Sequence, residues 1–198
     1  MTRTEQRDNA RGAKAGAREA RAAHPAGTFA TAVSADDVKA LFRGHPGGVA
    51  VITAHGEAGP AALTATSVSS VSVDPPLLVF SLSSLSSASP AITAAATIVI
   101  HLLDADDLAL AQLGATSGVD RFADRDAWVT LATGEPVFPH VRAWVRCAVV
   151  SRMDAGSSTV IAAHAVQAHV NRDDIADAGA LVYHNRSWHS LGEHSRLD

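Results

Sequence analysis

The sequence predicts a mainly β domain, an antiparallel barrel with a few short helices at its margins. Three observations predict it. About eight segments have the alternating or β-branched composition of strands, most of these follow one another at hairpin spacing, and three or four segments have helical spacing. The 198 residues suit one domain, and 47% hydrophobic against 18% charged residues excludes a chain that is disordered throughout.

The charge of the chain divides it into two parts. Residues 1–28 are rich in Ala and Arg, carry a net charge of +3 and hold almost no large apolar side chain, so we expect a disordered basic tail. The predicted domain, residues 29–198, carries −7, which argues against nucleic acids and membranes as partners because both need a positive field. No signal peptide or membrane-spanning run is visible, so we expect a cytoplasmic protein.

The first helix is expected to begin at a capping box that runs from Ser34 to Asp37 and to end before Gly44. Its apolar side chains, Val38, Leu41 and Phe42, fall on one face. The spacing therefore predicts a short amphipathic helix at the start of the domain.

The next elements are predicted strands. Residues 49–54 are apolar and β-branched, and residues 61–67 return after a turn, so the pair is predicted to form a hairpin. Residues 68–73 alternate apolar side chains with serine, as a half-buried strand does. Asp74-Pro75-Pro76 ends that strand, and residues 77–82 form the following one.

The middle of the chain mixes helices with one strand. Ser89 is expected to cap a short helix that ends at Ala96, with Pro90 at its first position. Residues 98–103 are predicted to form a strand, and residues 106–113 have helical spacing.

The last third of the chain predicts two hairpins. The first joins two long strands and turns at Asp154-Ala155-Gly156, and the second is small and turns at Asn185-Arg186. Their strands are residues 143–152 with 157–170, and residues 181–184 with 188–191.

Serine is unusually dense between residues 67 and 89, where ten of 23 residues are serine. Serine is a poor strand former, and exposed strand positions account for part of this density. The turn at residues 83–87 leads into a predicted helix, where hydroxyls and free N–H groups favour a phosphate. A turn that merely caps the helix explains the same residues.

Several other kinds of site are excluded. The chain has no Gly-x-Gly-x-x-Gly or Walker loop, and no His-Glu-x-x-His or nucleophile elbow. The single cysteine, Cys147, excludes an internal disulfide and multi-cysteine metal motifs, and its apolar surroundings indicate a buried thiol. We predict no metal site.

Two stretches of the sequence resemble the flavin reductase-like family. They run from Phe42 to Thr53 (FRxHPxGVAVIT) and from Leu63 to Leu77 (LTATSVSSVSVDPPL). Shorter likenesses follow at Asp120-Arg121-Phe122, Gly134-x-Pro136-Val137, Asp154-x-Gly156 and Leu181-Val182-Tyr183-His184, and the whole covers roughly residues 35–192. The chain is similar in particular to the small reductases that supply reduced flavin to two-component monooxygenases.

The resemblance implies an FMN-binding split β-barrel of Greek-key type. It implies a flavin reductase that transfers a hydride from NAD(P)H to FMN, with FAD as the other possible flavin and NAD(P)H as co-substrate. It further implies a homodimer and a partner monooxygenase that receives the reduced flavin. Two alternatives stay open: another split-barrel flavoenzyme with tightly bound FMN, and a non-enzymatic flavin- or haem-binding protein.

The resemblance also implies the site residues. One group lines the flavin ring, the serine turn holds phosphate, and residues near the C-terminus approach the ring or the nicotinamide. No catalytic residue is assigned, and His184 and His189 are candidates for the nicotinamide side. The implied cofactor-binding residues are Thr64, Ala65, Thr66, Ser67, Ser81, Leu82, Ser83, Ser86, Ser87, Ala88, His101, Arg121, Phe122, Tyr183 and Trp188.

The chain departs from the family pattern at two of its positions. Leu85 stands in the phosphate turn where many members have Lys or Arg, so Arg121 is expected to supply the cation, or else a partner subunit. His101 stands where many members have Asn, and we expect it to donate one hydrogen bond and to change its charge with pH.

Overall fold

The computed structural model describes residues 33–171 and 179–197. The predicted tail, residues 1–28, lies outside these ranges, as do the first four residues of the predicted domain. The helices are α1 (Ala35–Arg43), α2 (Ser89–Ala94) and α3 (Leu108–Ala115), with 3₁₀ turns at Ala105–Asp107 and Glu193–Ser195. The strands are β1 (Gly47–Gly48), β2 (Ala50–Gly56), β3 (Gly59–Ala65), β4 (Ser69–Val73), β5 (Pro76–Ser83), β6 (Thr97–Leu102), β7 (Val129–Thr130), β8 (Pro136–Val137), β9 (Ala143–Ala155), β10 (Ser158–Val170), β11 (Ala180–His184) and β12 (Ser187–Leu191).

The fold is mainly β, as predicted, and every pair of strands is antiparallel. Seven strands form one sheet in the order β3-β2-β6-β9-β10-β5-β4. A three-stranded sheet, β1-β11-β12, and a two-stranded ribbon, β7-β8, complete the described strands. No helix among the described residues is long and apolar enough to cross a membrane.

The seven-stranded sheet curls strongly. Its edge strands, β3 and β4, are joined by only three residues, Thr66 to Val68. A flat sheet of this width would separate its edges by roughly 29 Å, whereas such a link spans at most about 14 Å. The link that joins β3 to β4 is also bonded to β5. The Ser67 hydroxyl donates to the Ser81 carbonyl (3.1 Å) and accepts from the Ser81 N–H (3.0 Å). We call Thr66, Ser67 and Ser81 the seam.

The seam takes the place of a backbone ladder. In the described chain, the two edge strands are not hydrogen-bonded to each other, so the sheet is curled but not closed into a barrel. Beyond Val79, β5 has no partner on its β4 side, and this leaves Ser81 facing Ser67.

Two apolar clusters lie on opposite faces of the central strands. Ile52 belongs to the cluster beneath α2, whereas its neighbour Val51 belongs to the cluster with Phe122, Phe138 and Trp144. Both faces of β2 and β6 are therefore covered, which explains why these two strands are apolar almost throughout.

Most predicted elements are confirmed, with boundaries shifted by up to three residues. The turn of the first hairpin is only two residues long, since Gly56 pairs with Gly59. The turn of the long hairpin moves to Gly156 and Ser157, because the ladder of β9 and β10 extends to the pair Ala155 and Ser158. The short strands β1, β7 and β8 were not predicted, since two-residue strands have no periodicity to detect.

One predicted detail is wrong. Ser89 is not the N-cap of α2: the N-cap is Ala88, whose side chain makes no capping bond, and Ser89 is the first helical residue. The predicted amphipathic helix α1 is present, and its apolar side chains Val38, Leu41 and Phe42 are exposed by 44%, 71% and 66% among the described residues. Amphipathic spacing gives the apolar face of a helix but not what covers that face.

Candidate functional site

A cavity of about 440 Å³ opens at the seam, within the size range of small-molecule sites. We call it the seam cavity. It brings together the end of β3, the end of β5, the serine turn and the segment after α3. The predicted residues that line it are Thr64, Ala65, Thr66, Ser67, Ser81, Leu82, Ser83, Ser86, Ser87 and Arg121.

The serine turn leaves some of its donors unused. The Ser83 hydroxyl oxygen accepts the N–H of Leu85 (3.3 Å), and that of Ser86 accepts the N–H of Ala88 (3.4 Å). Both hydroxyls keep their protons to donate. Ser87 has neither its N–H nor its hydroxyl hydrogen-bonded within the described chain. The unused donors of the turn therefore centre on Ser87.

Arg121 is the only charged side chain among the described residues that line the seam cavity. Its Nε donates to the Gly114 carbonyl (3.2 Å) and an Nη2 hydrogen to the Thr116 carbonyl (2.6 Å), both at the C-terminal end of α3. These bonds orient the guanidinium and leave Nη1 without a partner within the described ranges. Arg121 is thus a cation held in place beside a turn of free donors.

The ring-lining segment is different, because two of its hydroxyls are already engaged. Thr64 donates to the Ala111 carbonyl of α3 (2.7 Å), and Ser67 is occupied by the seam. Of the three hydroxyls in residues 64–67, the Thr66 hydroxyl alone has no partner among the residues described. Thr66 is therefore the one residue of this segment whose hydroxyl remains available to donate to a flavin ring.

Two glycines let neighbouring elements approach this segment. A side chain at Gly114 would collide with the Thr64 hydroxyl at 2.4 Å, and one at Gly47 would meet the Thr66 backbone oxygen at 2.9 Å. Any larger residue would push α3 or β1 away from the end of β3. Sequence reasoning did not select either glycine, since a glycine carries no signal of which element approaches it.

A second cavity, of about 640 Å³, lies between α1 and the turn that joins β11 to β12. We call it the helix–hairpin cavity. It shares all three seam residues with the seam cavity, so the two cavities meet at the seam. Its other lining residues are Lys39, Phe42, Arg43, His45, Gly47, Tyr183, Asn185 and Arg186.

The structure does not bring His101 to either cavity. Its side chain is fully buried, its Nδ1 lies 2.9 Å from the Val51 carbonyl oxygen, and its Nε2 accepts the Phe138 N–H at 3.1 Å. Nδ1 therefore carries the proton and donates it. Burial lowers the pKa of His101 to about 4, so the ring stays neutral near pH 7 and the expected change of charge with pH is moved to acidic pH.

The other predicted residues fall around the two cavities. Ala88 and Phe122 are buried and line a neighbouring cavity of about 220 Å³. Tyr183 lines the helix–hairpin cavity, and Trp188 packs edge-on against it with ring centroids 4.7 Å apart.

The two candidate histidines lie beside each other on the small hairpin. The ring centroids of His184 and His189 are 5.5 Å apart, and neither residue is part of the lining of the three cavities. No group of three His, Cys, Asp or Glu residues in the described ranges is placed to hold a metal ion.

The seam cavity also contains residues that the sequence reasoning missed. Besides Gly114 these are Leu63 of β3 and the small residues Ala115, Ser117 and Ser158. Ala115 is the last residue of α3, Ser117 follows that helix, and Ser158 begins β10. Their small size was the one signal available, and small residues are too common in this chain for that signal to select them.

Comparison with known proteins points to one family. The sequence profile of the flavin reductase like domain matches residues 42–192. An NADH:FMN oxidoreductase of Rhodococcus erythropolis is 39% identical over 161 residues, which cover 81% of this chain and 84% of that protein.

Solved structures agree with the sequence comparison. A flavin reductase domain protein from Arthrobacter sp. FB24 is 30% identical, with a TM-score of 0.75 over 82% of this chain and 97% of that one. BorF, the flavin reductase component of a bacterial two-component tryptophan halogenase, is 27% identical, with a TM-score of 0.71 over 81% and 99%. With the profile match and the relative of 39% identity, these likenesses show that the chain belongs to the flavin reductase like domain family.

Proposed function

We propose that this protein is an NAD(P)H-dependent flavin reductase that binds FMN in the seam cavity. The observation that carries the proposal is the convergence of Arg121 with the unused donors of the serine turn in one cavity, which also reaches the end of β3. A phosphate held there needs few cations, which suits an acidic domain.

The proposed orientation follows from the position of these donors. Arg121 Nη1 and the Ser87 N–H and hydroxyl would hold the phosphate. The Thr66 hydroxyl and the backbone of residues 64–67 would face the polar edge of the ring. Donors at this edge stabilise the negative charge of the reduced flavin.

The chemistry is supplied by the bound nucleotides: a hydride, two electrons with one proton, leaves C4 of the dihydronicotinamide and adds to N5 of the flavin. The protein's own part is to hold the two rings face to face and to exclude water. No general base is needed for this transfer, which agrees with a seam cavity whose lining contains no carboxylate or histidine among the described residues.

The test is oxidation of NADH and NADPH, followed at 340 nm, with added FMN, FAD or riboflavin. We expect FMN-dependent oxidation. Absence of oxidation with every pairing of donor and flavin would refute the proposal. A yellow protein that keeps its flavin through purification would instead favour a flavoenzyme with tightly bound FMN.

The split β-barrel of the family is part of the proposal. The curl of the seven-stranded sheet and the side-chain bridge across the seam support it. A cytoplasmic location also belongs to it, since the one cysteine of the chain, Cys147, is a buried free thiol.

A homodimer is the proposed assembly. Val71 and Val73 on the edge strand β4 are exposed by 57% and 89%, and Leu85 in the serine turn by 91%. A second copy over this edge would cover both the apolar side chains and the unpaired strand. Light scattering coupled to size exclusion measures the mass, and a monomer at micromolar concentration would contradict this part. The proposed partner is a monooxygenase that takes up the reduced flavin. The name of BorF, the flavin reductase component of a two-component tryptophan halogenase, supports pairing with a second enzyme.

A further inference from the structure

We propose that the helix–hairpin cavity binds the diphosphate of the nicotinamide dinucleotide, and that Arg43 and Arg186 are the residues that hold it. The inference rests on the proposed function, because it assigns the place of the hydride donor. Neither arginine was among the site residues expected from the sequence.

The first support is charge. The described lining of the cavity includes Lys39, Arg43, His45 and Arg186 but no Asp or Glu, although the domain as a whole is acidic. Lys39 is paired with Asp36 at 3.0 Å. The guanidinium groups of Arg43 and Arg186 have no hydrogen bond or ion pair within the described ranges. Two unpaired guanidiniums at one cavity favour a ligand with two anionic groups.

The second support is the backbone of Arg186. The turn residues Asn185 and Arg186 both have positive φ, 48° and 63°, in a two-residue hairpin. Such turns favour Asn followed by Gly, because a side chain beyond Asn is strained there. Turn formation therefore explains Asn185 but not an arginine at position 186. An arginine in a backbone conformation that disfavours it points to a role for its side chain.

The third support is the way the two arginines are brought together. The Asn185 N–H donates to the Arg43 carbonyl at 3.0 Å, which ties the turn to the last residue of α1. The C-terminal end of a helix by itself favours a cation at position 43. The helix end does not explain why a second cation, Arg186, lies on the turn that contacts it without an ion pair in the described ranges.

The fourth support is the meeting of the two cavities at the seam. A dinucleotide with its diphosphate at Arg43 and Arg186 would extend toward Thr66 and Ser67, where the proposed flavin ring lies. Phe42 and Tyr183 add aromatic surface to the same cavity, and its 640 Å³ suits a ligand of this size.

The test compares Arg186→Gly and Arg43→Gln with the wild-type protein. Each variant should raise KM for NADH about tenfold, the usual effect of losing one charge-assisted hydrogen bond. KM for NADPH should rise by the same factor, because both donors contain the diphosphate. The preference for NADH over the phosphate-free donor N-benzyl-1,4-dihydronicotinamide should fall about tenfold. Arg196→Gln, which removes an exposed arginine paired with Glu193, is the matched control.

Two readouts do not depend on turnover. Isothermal titration calorimetry of ADP-ribose with the flavin-free protein should show about tenfold weaker binding in each variant. The Tm of Arg186→Gly should equal or exceed that of the wild type, because glycine relieves the positive φ. A loss of ADP-ribose binding without a loss of Tm separates a binding residue from a structural one.

The outcomes are distinct. Wild-type protein that oxidises no donor refutes the proposed function itself. Active wild-type protein whose variants keep KM for NADH within twofold refutes the inference alone. A rise of KM for FMN but not for riboflavin would place the flavin phosphate in this cavity and would also overturn the inference. A rise of KM for NADPH without a rise of KM for NADH would overturn the inference too.

Discussion

Two polar regions of this protein differ in what their polar groups do. In the buried region between β6, β9 and the β7–β8 ribbon, every polar side chain that we describe is bonded within the protein. In the seam cavity, donors of the serine turn and of Arg121 point into open space. Satisfied groups hold a fold together, whereas unsatisfied donors around a cavity are available to a ligand.

The buried region centres on Glu135, which is 2% exposed. Arg146 Nε donates to one of its carboxylate oxygens at 2.8 Å, and the Thr133 hydroxyl donates to the other. Burial alone would raise the pKa of Glu135, but the hydrogen bonds from Thr133 and Thr97, with that of Arg146, lower it overall. The carboxylate is therefore ionised and fully engaged, so it has no capacity left for a ligand.

The largest predicted effect breaks this buried region. Glu135→Ala leaves the Arg146 guanidinium largely buried without its partner and should lower the free energy of unfolding by about 3–5 kcal/mol. Urea denaturation measures the loss. Glu57→Ala, in the exposed turn after β2, is the matched control and should change stability little. Where the variant is folded, its KM for FMN should stay within twofold, and a large rise would show that the two regions are coupled.

The second prediction concerns pH and His101. The folded-state pKa is about 4 and the ordinary value is 6.5, so the neutral ring stabilises the fold fully above pH 6.5. This stabilisation is lost as pH falls toward 4, by about 3 kcal/mol in all. Urea denaturation between pH 7 and pH 4 should therefore show a smaller decrease in the free energy of unfolding for His101→Asn than for the wild type. The prediction is wrong if the variant and the wild type lose stability in parallel.

The third prediction moves to the seam cavity. Arg121→Gln should raise KM for FMN about tenfold to thirtyfold, since it removes the charge that Arg121 brings to the proposed phosphate site. KM for riboflavin, which has no phosphate, should change little. Arg125→Gln is the control, because Arg125 lies over the Trp128 ring, 5.4 Å from its centroid. An equal rise of KM for FMN and for riboflavin would show that Arg121 acts only by anchoring the end of α3.

The smallest effect compares serines within one turn. The double variant Ser86→Ala/Ser87→Ala should raise KM for FMN about fivefold, because it removes hydroxyl donors but keeps the Ser87 N–H. Ser84→Ala should leave KM for FMN unchanged, because the Ser84 hydroxyl already donates to the Ser157 carbonyl at 2.8 Å. If Ser84→Ala has the larger effect on KM for FMN, the turn works through its shape and not through free donors.

The serine turn, residues 64–67 and Arg121 were selected from the sequence, and the structure brings them together in one cavity. It does not bring His101, Ala88 and Phe122 to that cavity, and their side chains are buried. A family motif reports that residues are near one another along the chain. It does not report which way each side chain faces in the folded protein.

The same limit applies to the hydroxyls. Thr64, Ser67 and Ser84 are indistinguishable in the sequence from Thr66 and Ser87, yet the first three are hydrogen-bonded within the protein. Their partners, Ala111, Ser81 and Ser157, lie 14 to 73 residues away along the chain. No local pattern encodes such a pairing.

Local chemistry was therefore enough to define the longer strands, their hairpins and the polar segments that surround the proposed flavin. Alternation of side chains, turn residues and β-branched composition act over a few residues and can be recognised in the sequence. Long-range contacts settled how the sheet curls to its seam, which donors stay free and how Arg43 comes to lie against the Asn185-Arg186 turn. The physical reason is that burial and hydrogen-bond satisfaction are properties of the assembled fold, since each depends on groups distant in the chain.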